Sequence, residues 1–166
     1  MAKTRALITG ITGMVGSHLA DYLLAHTDWD IYGLARWRSP MDNISHLLNR
    51  VNTKDRVFLV YGDLRDELSL FAAARESRPD YVFHLAAQSY PKTSFDSPLD
   101  TLDTNIQGTC RILEALRQQD MDPVIHVCAS SEVFGRVPQE KLPIAEDCTF
   151  HPASPYAISK VGTDLI

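Results

Sequence analysis

Ala6-Leu7-Ile8-Thr9-Gly10-Ile11-Thr12-Gly13-Met14-Val15-Gly16 is the stretch that decides the fold. Ala6 to Thr9 is a short apolar run closed by glycine, and Val15, Leu19, Tyr22 and Leu23 then recur at helical spacing. The order is strand, glycine turn, helix. In such a GxxGxxG turn, glycine lets the backbone bend tightly and approach a pyrophosphate, while amides at the helix N-terminus face the anion. Gly10, Thr12, Gly13, Met14, Val15 and Gly16 are therefore candidate cofactor contacts. A structural glycine turn without a ligand is the alternative.

Outward from that turn the pattern repeats. Ile31 to Ala35 closes a first βαβ unit, Met41 to Arg50 is expected to be helical, and Val57 to Tyr61 reads as a third strand. Leu68, Phe71 and Ala72 mark a helix, and Tyr81 to Leu85 is a fourth strand. Ile106, Cys110, Leu113 and Leu116 form one stripe of a longer helix before a fifth strand at Val124 to Cys128. Strands alternating with helices predict an α/β fold, a doubly wound parallel sheet of the NAD(P)-binding Rossmann kind. Arg136 to Pro152 holds Pro138, Pro143 and Pro152 with little periodicity and is expected to be a loop. Ser154 then suits a helix N-cap and Pro155 the first helical position. Val161, Leu165 and Ile166 carry an apolar stripe to the last residue. The expectation is one incomplete domain over 1–166, with further strands and a substrate domain beyond it.

Composition narrows the function classes. Sixteen basic against 21 acidic residues give a net charge of -5, which argues against nucleic acid or an anionic membrane surface as the main partner. Cys110, Cys128 and Cys148 show no CxxC spacing and read as free thiols in a reducing compartment. No apolar run approaches a bilayer span, so cytoplasm is the expected location and no membrane partner is expected. The six histidines lack ligand spacing, so no metal site is expected, and His84 and His126 read as core or surface residues.

At the end of the second strand, where an NAD site places a carboxylate for the ribose hydroxyls, stands Arg36, followed by Trp37 and Arg38. A guanidinium there suits the 2′-phosphate of NADP; a pair of surface arginines is the alternative. Asp63, after the third strand, is placed to accept from the adenine amino group. Leu85, Ala86 and Ala87, after the fourth, permit close approach of a cofactor or serve plain packing.

The chemistry is marked further along. Tyr156 and Lys160 stand one turn apart on a helix, where the ammonium favours the phenolate and lowers a pKa that is near ~10 in the free side chain. Ser130, at the end of the fifth strand, can hydrogen-bond the same substrate hydroxyl. Tyrosine, lysine and serine together make a device for moving a proton to or from a hydroxyl.

Gly10 to Gly16, Asp63, Leu85-Ala86-Ala87, Ser130 and the Tyr156/Lys160 pair resemble the extended short-chain dehydrogenase/reductases of nucleotide-sugar metabolism, over essentially the whole chain. Gly10-Ile11-Thr12-Gly13, the Arg36 loop, Tyr61-Gly62-Asp63-Leu64, Ser94-Phe95 and Ser130-Ser131-Glu132 are most similar to the branch of GDP-mannose 4,6-dehydratases. The resemblance adds Leu64, Tyr156 and Lys160 to the NADP contacts and assigns Ser89, Ser131 and Glu132 to the nucleotide-sugar substrate. It implies that Tyr156 takes the O4 proton as hydride leaves C4, and that Glu132 removes the C5 proton and helps expel the C6 hydroxyl as water. The hydride then returns to C6. Ser130, Glu132, Tyr156 and Lys160 are the implied catalytic set, and a homodimer or homotetramer is the implied assembly. Asp100, Asn105 and Phe134 depart from that branch, where tyrosine, aspartate and tyrosine are frequent. A 4-keto-6-deoxy-sugar reductase or an epimerase on the same fold, and a non-catalytic NADP-binding module, are the competing readings.

Overall fold

The computed structural model describes residues 3–166. The chain divides into two compact units, one formed by the residues up to Ala86 with Arg111–Cys128, the other by Ala87–Cys110 with Ala129–Ile166.

The first unit is a five-stranded parallel sheet. Its strands are β1 (Arg5–Thr9), β2 (Asp30–Ala35), β3 (Val57–Tyr61), β4 (Tyr81–His84) and β5 (Val124–Val127), in the order β3-β2-β1-β4-β5. Leu7 pairs with Tyr32 on one side and Val82 on the other, so β1 is central and the strand order reverses between β1 and β4. Alternation along the strands feeds two cores. Leu7, Tyr32, Leu34, Val60 and Val82 pack with Leu70, Ala73 and Ala74 of α3 (Glu67–Ser77) and with Ile112, Ala115 and Leu116. Ala6, Ile8, Ile31 and Ala35 face the other way, onto Ala20 and Leu23 of α1 (Met14–His26) and onto Ile44 and Leu47. Apolar contact on both faces explains why the strands read as near-continuous hydrophobic runs. Each large side chain removed from water in this way contributes about 1.5–3 kcal/mol.

Two boundaries differ from expectation. The segment expected as a helix over Met41–Arg50 is a 3₁₀ turn at Asp42–Leu47 continued by α2 (Leu48–Thr53). Ile44 and Leu47 are its buried residues, and their three-residue spacing matches the 3₁₀ period. β4 and β5 end at His84 and Val127, one residue short of expectation, and at the end of β4 the Leu85 amide turns to the Thr9 side chain.

The second unit is helical. α4 (Pro91–Asp96) and α5 (Pro98–Leu102) are followed by a π-helical turn at Asp103–Gln107, from which α6 (Gly108–Arg117) continues; α7 (Pro155–Leu165) lies against α5 and the π turn. The stripe expected through Ile106, Cys110, Leu113 and Leu116 is displaced. Leu116 is buried with Ile112 and Ala115, whereas Ile106, Cys110 and Leu113 are half-buried and the deeply buried positions upstream are Thr101, Asn105 and Thr109. Those three bury polar side chains that are hydrogen-bonded, so hydropathy does not mark the face they lie on.

Candidate functional site

The glycine turn lies at the carboxyl end of β1, at the switch point of the sheet. Gly10 has φ of 76°, and a Cβ there would stand 3.0 Å from the Ala86 amide nitrogen, so glycine serves both the left-handed turn and the close approach of β4. A Cβ on Gly16 would overlap the Gly10 carbonyl oxygen. Helix α1 begins on Gly13, which has no side chain to cap it, and no acidic residue occupies its first turn. Its leading amides are thus left to an external acceptor, and the dipole favours an anion there. Met14 and Val15 are exposed at this end, and the Thr12 carbonyl accepts from the Asn43 side chain at 2.9 Å.

Thr9 fixes the neighbouring strand end. Its hydroxyl oxygen accepts from the Leu85 amide at 3.1 Å and the Ala86 amide at 3.0 Å, and it lies 2.9 Å from His84 Nδ1. With both lone pairs engaged, the hydroxyl proton goes to His84, whose Nδ1 is therefore an acceptor. Thr9 and His84 are both buried. His84, read from sequence as a bland core or surface residue, orients the hydroxyl that holds two candidate cofactor residues.

Beyond the ends of β2 and β3 a cleft of about 610 Å³ is lined by Arg36, Trp37, Arg38, Tyr61, Gly62, Asp63, Asp66 and Ser69. Arg36 and Asp63, the two candidate adenosine contacts, both line it. Asp63 Oδ1 accepts from the Arg65 amide at 2.9 Å, and its own amide donates to Ser69 at 3.1 Å. Leu64 is buried in the core with Leu70 and Ile112, and its carbonyl accepts from Arg111. An uncapped helix start, glycines whose Cβ positions are filled by backbone, and a cleft carrying two guanidiniums and a carboxylate together fit a phosphorylated dinucleotide. The sequence alone assigns no role to Trp37, Tyr61, Asp66 or Ser69; an aromatic between two arginines is the available signal for the first.

The second unit carries the remaining residues. Ser130 caps a 3₁₀ turn at Ser131–Phe134 by accepting from the Glu132 amide at 3.3 Å. Ser154 caps α7, accepting from the Ala157 amide at 3.0 Å, and its hydroxyl makes a long 3.5 Å contact to Glu132 Oε2. The capping serine thereby brings the exposed Glu132 carboxylate to the start of the helix that bears Tyr156 and Lys160. Lys160 Nζ lies 5.9 Å from the centre of the Tyr156 ring, and both residues are buried. Ser131 is exposed at the head of its turn, Ser89 is exposed ahead of α4, and Ala87 is half-buried. Asn105, 2% exposed, ties three parts of the unit together. Its Oδ1 accepts from the Gln88 amide at 2.7 Å, and its Nδ2 donates to the Gln88 carbonyl at 3.0 Å and to Ser159 Oγ at 2.8 Å. The turn bearing Glu132 is pinned from below: the His151 amide donates to the Val133 carbonyl at 2.9 Å, and Gly135, with φ of 59°, leaves its Cβ space to the His151 carbonyl. Among the described residues no group of three or more histidine, cysteine or acidic side chains could hold a metal, and no helix is long and apolar enough to cross a membrane.

The family described as GDP-mannose 4,6 dehydratase matches residues 7–166. The chain belongs to this family. A GDP-mannose 4,6-dehydratase of Vibrio cholerae is 37% identical over 164 residues, which are 96% of this chain and 43% of that protein. Among solved structures, RMD from Pseudomonas aeruginosa complexed with NADPH is 32% identical with a TM-score of 0.74, over 98% of this chain and 48% of that one. The UDP-glucose 4-epimerase of Thermus thermophilus, solved with NAD, is 30% identical with a TM-score of 0.83, over 98% and 49%. The chain thus spans less than half the length of these relatives, and it shares its fold with an epimerase.

Proposed function

We propose that this chain supplies the NADP-binding and proton-transfer part of a lyase. The complete protein converts GDP-mannose, or a related GDP-hexose or GDP-heptose, to the GDP-4-keto-6-deoxy sugar. The observation that carries this reading is Glu132 held by Ser154 at the start of the helix bearing Tyr156 and Lys160. Oxidation at a hydroxyl needs only Tyr156, Lys160 and Ser130. Elimination of water needs an additional carboxylate, which can act as base and then as acid.

The N-terminus of α1, Gly10, Gly16, Arg36 and Asp63 hold NADP, whose chemistry is to accept one hydride and return it. The Ser130 hydroxyl orients the sugar C4 hydroxyl, and Tyr156 removes its proton with Lys160 favouring the phenolate. Glu132 takes the C5 proton, acidified by the adjacent ketone, and delivers it to the C6 hydroxyl, which departs as water; when the hydride is returned to C6, C5 regains a proton, which balances the one Tyr156 removed from O4. Ser89 and Ser131 bind the nucleotide sugar. The outer edge of β5, of which Val124 is 63% exposed, is where further strands of a longer chain would pair, ahead of a substrate domain. A homodimer or homotetramer belongs to the same reading, since α7 leaves Ile158 and Leu165 exposed.

The complete protein, incubated with GDP-mannose and catalytic NADP, is expected to form the 4-keto-6-deoxy product without net NADPH. Tyr156→Phe is expected to lower turnover about 10²–10⁴-fold with NADP binding retained. Glu132→Gln is expected to oxidise C4 in a single turnover and then stall, with absorbance of the reduced nicotinamide persisting. A Glu132→Gln protein that still releases product at the parent rate removes Glu132 from the elimination step, and a parent protein that forms no keto product sinks the dehydratase reading in favour of a reductase or epimerase.

A further inference from the structure

Trp37 is 80% exposed, yet it occupies the rim of the cleft between Arg36 and Arg38. Its ring meets Tyr61 edge to face, with centroids 5.8 Å apart and planes at 68°. Tyr61 is itself 48% exposed, so the contact leaves most of the indole surface open to solvent. A large aromatic left in water contributes little to the fold. Its position does make a platform for a flat ring, in a cleft lined also by two guanidiniums that suit a phosphate and by the Asp63 carboxylate, which accepts from an amino group.

We propose that Trp37 is the stacking surface for the adenine of a 2′-phosphorylated adenosine, and so a determinant of cofactor affinity. The proposal rests on the NADP reading above and deepens it. The cleft lies at the carboxyl ends of β2 and β3, on the side of the sheet where the first βαβ half of a dinucleotide fold takes the adenosine portion. Its roughly 610 Å³ accommodates a purine with its ribose phosphate. Stacking is indifferent to which base is present, so selection falls to the groups around the ring. Arg36 and Arg38 select the 2′-phosphate, and Asp63 selects a ring with an exocyclic amino donor at its edge.

The test uses the complete protein and its Trp37→Ala, Trp37→Phe and Trp37→Tyr variants, titrated calorimetrically with NADP, adenosine 2′,5′-bisphosphate, 5′-AMP, GDP and nicotinamide mononucleotide. Tryptophan emission is followed in parallel. NADP and the bisphosphate are expected to perturb the emission of the parent equally, and nicotinamide mononucleotide is expected not to. Trp37→Ala is expected to weaken both adenine ligands by about 10-fold or more, the size of one base stacked on one aromatic ring, with Phe and Tyr recovering most of the loss. Because the side chain is exposed, the variants are expected to fold as the parent does. Parent-like affinity of Trp37→Ala for the bisphosphate overturns the stacking role and leaves the NADP reading intact. So does a change confined to the oligomeric state, which would make Trp37 a contact between copies. Failure of the parent to bind NADP overturns both readings, and GDP binding more tightly than the bisphosphate would assign the platform to the substrate nucleotide instead.

Discussion

The two units solve the problem of burial in opposite ways. The sheet unit is the drier: both of its cores are built from aliphatic and aromatic side chains, with Leu7, Ile8, Ile31 and Leu70 wholly buried, and its buried polar side chains are Thr9, Ser17, Ser77 and His84. The helical unit instead buries Ser94, Thr101, Asn105, Ser159, Lys160 and Thr163. The first is held by non-directional contact, which tolerates exchange of one apolar side chain for another of similar volume. The second is held by directional bonds, where each missing partner strands another group. On the proposed function, the first would be the platform for a cofactor, which needs a stable backbone scaffold, and the second the seat of proton transfer, which needs particular atoms in particular places.

The contrast can be broken, and the largest expected effect is at Asn105. Asn105→Leu strands the Gln88 amide and the Gln88 carbonyl, and takes a donor from the Ser159 hydroxyl, which still donates to the Tyr156 carbonyl. At about 1–3 kcal/mol for each buried group left unpaired, the loss in urea denaturation should match or exceed that of any single truncation in the sheet cores. Asn105→Asp keeps the acceptor for Gln88 but loses both donations and should fall between. Leu70→Ala comes next, at about 2–5 kcal/mol through the cavity it leaves. If Leu70→Ala proves the more damaging of the two, the polar network is ornament rather than framework.

A smaller effect is expected at the latch between β1 and β4. Thr9→Val keeps the shape but strands the Leu85 and Ala86 amides, at about 1–3 kcal/mol, and should weaken NADP binding. Thr9→Ser should retain both. In the parent, ¹⁵N imidazole shifts should show His84 Nδ1 without a proton. The smallest effect is expected at Glu114, whose carboxyl is held down to about 2 by hydrogen bonds from the Arg117 and Gln118 side chains and by the Arg117 charge. A carboxylate depressed below its unfolded value stabilises above that value and loses its contribution as pH falls toward 2. The pair lies on the surface, where water and salt screen it, so Glu114→Gln should leave the acid limb of the stability curve unchanged within error.

The drier unit was the legible one. Apolar runs separated by glycine and proline placed all five strands, and the GxxGxxG turn fell where expected because both signals are local. The helical unit was legible only at the Ser154-Pro155 start of α7. The π turn left no mark, since its neighbours Thr101, Asn105 and Thr109 read as surface residues until their partners, up to 54 positions away, are in place. The pairing of Thr9 with His84, 75 residues apart, is invisible for the same reason. So is Gly135, whose need for a missing side chain depends on His151.

That last contact closes a ring. Residues 136–150 leave from Gly135 and return at His151, so the excursion between them is stitched at its base and hangs as an Ω-type loop. Loop closure grows only logarithmically with length, about 0.6 kcal/mol for each doubling. The segment can therefore lengthen, shorten or be exchanged for another sequence while the turn that bears Glu132 stays where it is.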